Sequence, residues 1–552
     1  MVLREQKELI GILTRWFIWW SKGLFMGFLW VLFVLGLIAA CTQDSDSGNF
    51  LEKPHIVLIT LDDLGWADSS IYSGDGYNEV PKGIDGGIDT PNLNALASSG
   101  VKLANLYSQT VCSPSRTALL TGKFPFRVGM QQLFTLTPGS KAHLPTKVST
   151  IAEKLKDKGY HTHMLGKWHQ GYARKAYFPT NRGFDTFWGY MQGTNDYFGK
   201  HLTFYGKYGY DFWNGTEVDP GGKGTYALLQ YMGEYERILQ RYDREYPTQL
   251  EKRENPLFLY FAHQTIHTPL EARESAKSRC ANVKDSSRRL YCEMMVEFDD
   301  AMNKTVMLLK ENNLWDDTLL VLHSDNGGMI KAGPAFLSSA GSNYPFRGSK
   351  TTLFEGGLRV PGFVNGGKNV IPEKSRGSTY VGLMHLVDLA AIIMAVGEVN
   401  VTDDDKIDGI NLLPDILYND SRERRHEIPL NIINGGTDYT AIRFHDMKLI
   451  VGNPQLEGFD CDGWTWPNME RKVAPSDSGP IYLFNITNDP HERINLAHIN
   501  PGRYKAIIEE GKNRIKKFMA SGYVKPQDNT LQPNGLPREY DNVNDVWYPF
   551  LD

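Results

Sequence analysis

Cysteine is scarce in this chain of 552 residues, with five in all. None sits in a Cys/His cluster with zinc spacing, so a structural zinc module is excluded. Cys280 and Cys292 are close in sequence and can pair in an oxidising compartment, where so short a loop would contribute roughly 3 kcal/mol at most. Cys461, near Trp464 and Trp466, is left without a partner. Excess positive charge is missing too: the formal net charge is −5. With no basic run and no nucleic-acid-binding module, nucleic acid is excluded as a partner. Positive charge serving an anionic ligand must therefore be local to a pocket. Internal repeats and long low-complexity segments are absent. A hydrophobic content of 41% and a charged content of 22% are those of an ordinary globular protein.

Long apolar runs are absent except for one. Arg4, Lys7, Arg15 and Lys22 precede Gly23 to Ala40, a stretch of 18 residues without a charge. It ends in Ile38-Ala39-Ala40-Cys41, and an acidic, Ser-rich tether follows. This is an export segment and not part of the fold. Ile-Ala-Ala-Cys resembles a bacterial lipobox, so the expected product is an exported, membrane-anchored lipoprotein in the periplasm or on the cell surface. A cleaved signal for secretion and a signal anchor are the alternatives, since 18 apolar residues just span a bilayer. Five N-x-S/T sequons (Asn214, Asn303, Asn400, Asn419, Asn485) would matter only in a eukaryotic secretory route.

Beyond residue 50, β-rich apolar runs alternate with helical patterns, which argues for an α/β sheet covered by helices. Ile56–Leu61, Leu257–Ala262 and Leu319–His323 read as buried strands, and Thr146–Lys158 and Glu297–Asn312 as helices. From about Arg422 the character changes. Ala441–Val451 reads as a hairpin turning at Asp446, Tyr482–Ile486 as a strand, Arg503–Ala520 as a helix. The expected division is 1–50 for export and tether, 51–421 for a catalytic α/β domain, 422–525 for a C-terminal α+β subdomain, and 526–552 for an irregular tail rich in Pro, Asn and Asp.

The strand at 55–61 runs into Asp62-Asp63-Leu64-Gly65. Carboxylates at the carboxyl end of a buried strand lie where open α/β sheets bind ligands. Two adjacent acids repel each other there unless a cation is shared; a helix N-cap with one spare acid is the plainer alternative. The strand at 318–324 runs into Asp325-Asn326-Gly327-Gly328, which is also a turn signature. Together they offer only oxygen donors, which suit Ca²⁺, or less well Mg²⁺, over Zn²⁺. Gly166-Lys167-Trp168-His169-Gln170-Gly171, His267-Thr268-Pro269, Arg182-Gly183-Phe184-Asp185, and Gly348-Ser349-Lys350 ahead of Glu355-Gly356-Gly357-Leu358-Arg359-Val360-Pro361 complete the set. Each has a bland reading as solvated Lys, core His or Gly turn, and for His263 the core reading is preferred.

Cys112-Ser113-Pro114-Ser115-Arg116, continued by Thr117-Ala118-Leu119-Leu120-Thr121-Gly122, has the form C-x-P-S-R-x-x-x-L-T-G. It resembles the maturation signature of type I sulfatases, and the other stretches occur in the order of that family over roughly residues 53 to 500. Details at Asn343–Gly348 and Val546–Phe550 are most similar to arylsulfatase B and its relatives. The resemblance implies a large alkaline-phosphatase-like mixed sheet flanked by helices. It implies that a formylglycine-generating enzyme oxidises Cys112 to formylglycine (3-oxoalanine), whose gem-diol attacks sulfur to give a covalent sulfo-enzyme. It implies one Ca²⁺ held by Asp62, Asp63, modified Cys112, Asp325 and Asn326. Arg116 would hold the formylglycine in place, Lys167 would contact the sulfate, and His169 would hold or deprotonate the diol. His267 would be the general acid, and Lys350 would bridge the sulfate and the leaving oxygen. The expected substrate is a sulfated carbohydrate, of polysaccharide or glycosaminoglycan type, including algal polymers such as ulvan or carrageenan. A phosphatase or phosphonate hydrolase of the same superfamily and a non-catalytic sulfated-glycan binder are the competing readings. Trp188 to Phe198, with Asn195 and Asp196, and the Trp464/Trp466 segment are candidates to line a sugar site or to be core.

Overall fold

Apolar, β-branched runs with no polar alternation form strands buried on both faces. In the computed structural model this holds for β1 (His55–Leu61), β7 (Leu257–Ala262) and β8 (Thr318–Ser324), in which every residue is buried. The other strands of the main sheet are β2 (Val101–Leu103), β3 (His161–Lys167), β4 (Thr186–Tyr190), β5 (Trp213–Asn214), β6 (Glu217–Val218), β9 (Gly362–Gly366) and β10 (Ser378–Tyr380). The structure describes residues 53–72, 87–132, 134, 136–204, 206–330, 339–402, 405–455, 479–540 and 543–552. The export segment with Cys41, and Cys461 with Trp464 and Trp466, lie outside the described residues.

The spatial order is β10-β2-β9-β8-β1-β7-β3-β4-β5-β6. The five central strands, β8 to β4, are parallel. Antiparallel neighbours flank them at β9 and β5. This is the mixed sheet of the expected α/β class. Its helices fall into two packed groups. One joins α1 (Pro91–Ser98) and α4 (Ala227–Glu245) to α5 (Ser286–Glu311). The other joins α2 (Cys112–Thr121) and α3 (Ile151–Lys156) to α6 (Leu386–Val396).

Two helices differ from the sequence expectation. The one expected from Thr146 begins only at Ile151, because Thr150 and Glu153 close a capping box there, Thr150 Oγ1 accepting from Glu153 N at 3.1 Å and Glu153 Oε2 from Thr150 N at 2.7 Å. The one expected from Glu297 begins at Ser286, where Asp285 Oδ1 caps it by accepting from Arg288 N at 2.9 Å. Cys280 and Cys292 are joined by a disulfide that ties α5 to the turn before it.

Beyond residue 426, β11 (Glu427–Ile433), β12 (Asp438–Phe444), β13 (Met447–Val451) and β14 (Ile481–Asn485) form an antiparallel sheet against which α7 (Pro501–Ala520) packs. The β12–β13 hairpin turns at His445-Asp446, with Phe444 opposite Met447. The segment after Lys525, expected to be irregular, carries strands at Arg538–Tyr540 and Val543–Val546, and Val546 pairs with Tyr210. Burial of Trp547 beneath the Lys207–Tyr210 strand accounts for this order. Residues 524–532 fasten the described residues of the loop around 126–139: Val524 N donates to Phe126 O (2.8 Å), Gln527 N to Gly129 O (3.0 Å) and Gln532 N to Gly139 O (2.8 Å).

Candidate active site

Strand register builds the site. Leu61 of β1 stands opposite Ser324 of β8, so Asp62-Asp63 and Asp325-Asn326 leave the sheet side by side. On the other side of β1, β7 aligns with β3 so that Ala262 faces Gly166. A Cβ on Gly166 (φ +95°) would lie 1.9 Å from Ala262 O, so only glycine lets β3 come close enough to deliver Lys167 to the same edge. Val111, in extended conformation, leads into α2, which presents Cys112 as its first residue.

These side chains converge on a buried, charge-matched floor. Lys167 Nζ donates to Asp62 Oδ2 at 2.6 Å. Lys350 Nζ reaches both oxygens of Asp63 at 2.7 and 2.9 Å. Arg116 grips Asp325 Oδ2 through Nε at 2.9 Å and Nη2 at 2.7 Å, and donates to Lys167 O at 3.3 Å. Asn326 Nδ2 donates to Asp63 Oδ1 at 2.7 Å. Three carboxylates thus face three cations. Burial is the largest effect and works against the charged forms of Asp62 and Asp63, yet their positive neighbours together, led by Lys167 and Lys350 respectively and joined by His267, hold both carboxyls below the usual range. Burial likewise opposes the charge on Lys350, and the neighbouring acids together, Asp63 first, more than offset it and raise its pKa.

The histidines have fixed tautomers. His169 Nε2 lies 3.2 Å from Leu136 O, a pure acceptor, so that nitrogen carries the proton and Nδ1 faces Cys112 Sγ at 3.2 Å. His267 Nδ1 donates to Thr268 O at 2.7 Å, which turns Nε2 toward Asp63 Oδ2 at 3.8 Å. Burial first, then Lys167 for His169 and Lys350 for His267, lowers the pKa of both rings. Burial pushes the Cys112 thiol up, although Lys167 and Lys350 pull against it. Cys112 is therefore not a ready thiolate.

The donor set fits a hard cation. Asp62 Oδ1 and Asn326 Oδ1 are buried with no hydrogen-bond donor, a costly state for an acceptor. Potential ligand atoms of Asp62, Cys112 and Asp325 lie within 4.8 Å of one another, as do those of Asp62, Asp63 and His267. Because the floor is balanced in charge, a dication there would leave it net positive and attractive to an anion.

The residues given metal or catalytic roles in the sequence (Asp62, Asp63, Cys112, Arg116, Lys167, His169, His267, Asp325, Asn326 and Lys350) are thus in one cluster, whereas Arg182 of the Arg182–Asp185 stretch is bonded to Glu153, Leu144 O and Val148 O. A match to the family model described as Sulfatase covers residues 54–399, the stretch that builds this floor. The chain belongs to the sulfatase family. This sulfatase is 32% identical to mouse arylsulfatase J over 532 residues, covering 90% of this chain and 80% of that one. It is 30% identical over 485 residues to human N-acetylgalactosamine-6-sulfatase, covering 83% and 84%. Among solved structures it is similar to Ps i-CgsB in complex with k-i-k-neocarrahexaose, with a TM-score of 0.68 and 26% identity, covering 86% of this chain and 94% of that one. It is a sulfuric ester hydrolase.

Several supporting residues of the sulfatase were not distinguished in the sequence. Tyr197 OH donates toward Gln264 O (2.9 Å) and His267 O (3.0 Å), fixing the His267 loop. Asp211 accepts from Met191 N, Gln192 N and Trp213 Nε1, and Met191 O in turn accepts from His169 N. Glu355, of the E-G-G segment, is buried against Lys448 of β13 at 3.0 Å and Tyr107 OH at 2.7 Å, so it ties the C-terminal sheet to the short Leu106–Tyr107 strand instead of serving the floor. Of the aromatic stretch left open between sugar site and core, Tyr197 is fully buried, and Trp188 donates to Asp219 Oδ2 at 2.6 Å while packing on Phe212 and Tyr231. Asn195 is buried and donates to Asp211 O at 2.6 Å. His263 stacks on Phe261 in the core, as preferred from the sequence.

Proposed function

We propose that this sulfatase hydrolyses O-sulfate esters of sulfated carbohydrates, polysaccharide or glycosaminoglycan in type, at a formylglycine made from Cys112 by a separate maturing enzyme. The observation that carries the reading is the charge-matched floor with two unclaimed oxygens, set against a cysteine that burial keeps as a thiol. The carbohydrate class is supported by the oligosaccharide in the Ps i-CgsB complex and by the sugar in the name of N-acetylgalactosamine-6-sulfatase. Ulvan and carrageenan stand as algal examples, and export with lipid attachment at Cys41 belongs to the same reading.

The aldehyde hydrate of formylglycine supplies the oxygen nucleophile that a buried thiol does not. Asp62, Asp63, Asp325, Asn326 and modified residue 112 would hold Ca²⁺, which when bound would supply concentrated positive charge for the sulfate oxygens. The protein's own groups do the rest. Lys167 and Lys350 present ammonium groups at the floor and bind the anionic oxygens, a preorganised field in a water-poor site. His169, its Nε2 proton fixed on Leu136 O, keeps Nδ1 free to take a proton from residue 112. His267, whose neutral ring keeps its proton on Nδ1, serves the leaving oxygen as the imidazolium, and a lowered pKa makes the Nε2 proton of that form easier to give up. Arg116 holds Asp325 and the β3 carbonyl, so the floor does not shift.

The test is free sulfate released from a panel of carrageenan, ulvan and glycosaminoglycan oligosaccharides, using enzyme co-expressed with a formylglycine-generating enzyme. Release from one class is expected; silence on every carbohydrate while an aryl sulfate is cleaved would overturn the substrate reading. His267→Ala should slow alkyl sulfates by about 10²-fold or more, with activated aryl sulfates slowed far less, because a good leaving group needs little protonation. Equal losses on both would remove His267 from the acid role. EGTA treatment should stop release and lower thermal stability, with Ca²⁺ restoring both and Mg²⁺ restoring neither.

A further inference from the structure

Lys350 is followed by Thr351, whose backbone is left-handed, with φ +71°. A β-branched residue is strained there, because its side chain crowds the backbone. Thr351 is buried, and its Oγ1 has no hydrogen-bond partner among the described residues, so the side chain does not hold the conformation. The backbone is held from both sides instead. Thr351 N donates to Thr110 O at 2.8 Å, two residues before Cys112. Tyr439 OH donates to Thr351 O at 2.6 Å, from 88 residues away in the chain. Strained residues persist where their surroundings fix them, and they gather at functional sites.

Tyr439 is itself delivered by an irregularity in β12. Asn431 of β11 pairs with Ala441, and Ile433 with Asp438, so β12 has one residue more than β11 between the two pairs. Such a bulge bends the strand and re-aims a side chain. Tyr439 lies in it at φ +44°, with both backbone groups tied. Its N–H donates to Asp438 Oδ1 at 2.9 Å, and its carbonyl accepts from Asn431 Nδ2 at 3.2 Å. Burial raises the pKa of the phenol, which therefore stays a donor. The C-terminal sheet borders the rest of the segment as well. Leu353 N donates to Pro454 O at 2.8 Å, and Glu355 N to Glu492 Oε2 at 2.6 Å. Of these three contacts, the one from Tyr439 falls on the residue next to Lys350.

We propose that Tyr439 is a positioning residue for Lys350: its hydroxyl locks the strained Thr351 backbone and so keeps the Lys350 ammonium aimed at the floor. The proposal rests on the role given to Lys350 at the sulfate and the leaving oxygen. Without the lock, Thr351 relaxes toward negative φ, and the peptide it shares with Lys350 turns with it. The bond from Thr351 N to Thr110 O places the same lock beside the turn that leads to Cys112.

Aryl sulfates of graded leaving ability test this whether or not any carbohydrate is cleaved. Lys350→Ala should lose most on phenyl sulfate and least on 4-nitrophenyl sulfate, since a good leaving group develops little charge to neutralise. Tyr439→Phe removes only the hydroxyl and should show the same trend. Its kcat should fall about ten- to thirtyfold on phenyl sulfate and less than about threefold on 4-nitrophenyl sulfate, with KM within about twofold. In a Thr351→Gly background the same substitution should cost less than about threefold on phenyl sulfate, measured against Thr351→Gly itself, because glycine adopts positive φ without strain. Equal losses of Tyr439→Phe along the series, no loss at all, or an undiminished loss in the glycine background overturn the positioning role and leave the function in place. Level losses for Lys350→Ala overturn the Lys350 role and the proposal with it.

Discussion

Cys112→Ala is expected to cut sulfate release by at least about four orders of magnitude, the scale on which losing a nucleophile is felt, while the fold survives. Cys112 is 7% exposed and its one polar contact is with His169. Alanine is a good helix former and leaves α2 capped as before. Loss of activity without loss of stability would separate chemistry from packing. Cys112→Ser keeps a hydrogen bond to His169 but lacks the second hydroxyl of an aldehyde hydrate, so it should also fail to turn over. Sulfate is measured directly, and the tryptic peptide Leu103–Arg116 is weighed to learn whether residue 112 is a thiol or an aldehyde. Retained turnover in the Ala variant would sink the formylglycine mechanism. Silence of a wild type whose residue 112 is still a thiol would record only that it was never matured.

Arg116→Ala is expected to cost about 3–5 kcal/mol of stability, the penalty for stranding a buried charge. Arg116 is fully buried with two nitrogens on Asp325. Without it Asp325 faces Asp63 N at 3.2 Å and no cation of its own. Arg116→Lys should not rescue, since a point charge cannot hold Asp325 and the Lys167 carbonyl at once. Denaturant midpoints of the two variants check this. A midpoint at the wild-type value would show that the pair orders the site without stabilising the fold. Added Ca²⁺ should recover part of the loss by balancing Asp325.

The floor was legible in the sequence because its parts sit at strand ends. Asp62-Asp63 and Asp325-Asn326 each close an unbroken apolar run, and parallel register brings such ends together. Lys167 was legible only through the resemblance of Gly166–Gly171 to the family motif; that it closes a buried strand, brought close by Gly166, is what the structure adds. What could not be read is which polar group faces which. Nothing local to Tyr197 says that its hydroxyl fixes the His267 loop, and nothing near Glu355 says that Lys448, 93 residues on, is its partner. Aromatic composition left both readings open at Trp188 and Tyr197, because a ring that suits a sugar equally suits a core, and only the neighbouring chain decides. The helix expected from Thr146 shows the opposite fault: helical periodicity was followed past a capping box that was present in the letters Thr150 and Glu153.

The strand pairing and hydrogen bonds of residues 524–547 set a timetable. The loop that offers Leu136 O to His169 is fastened by contacts such as Thr137 Oγ1 to Asn529 O, at 2.9 Å and 392 residues apart. At roughly 5–20 residues per second, synthesis separates those two positions by about 20–80 s. Asp62, Cys112, His169, His267, Asp325 and Lys350 have all emerged well before the interval ends, while the loop that sets the His169 tautomer still lacks its fastening. In chain order the charges of the site come first and the support of His169 last.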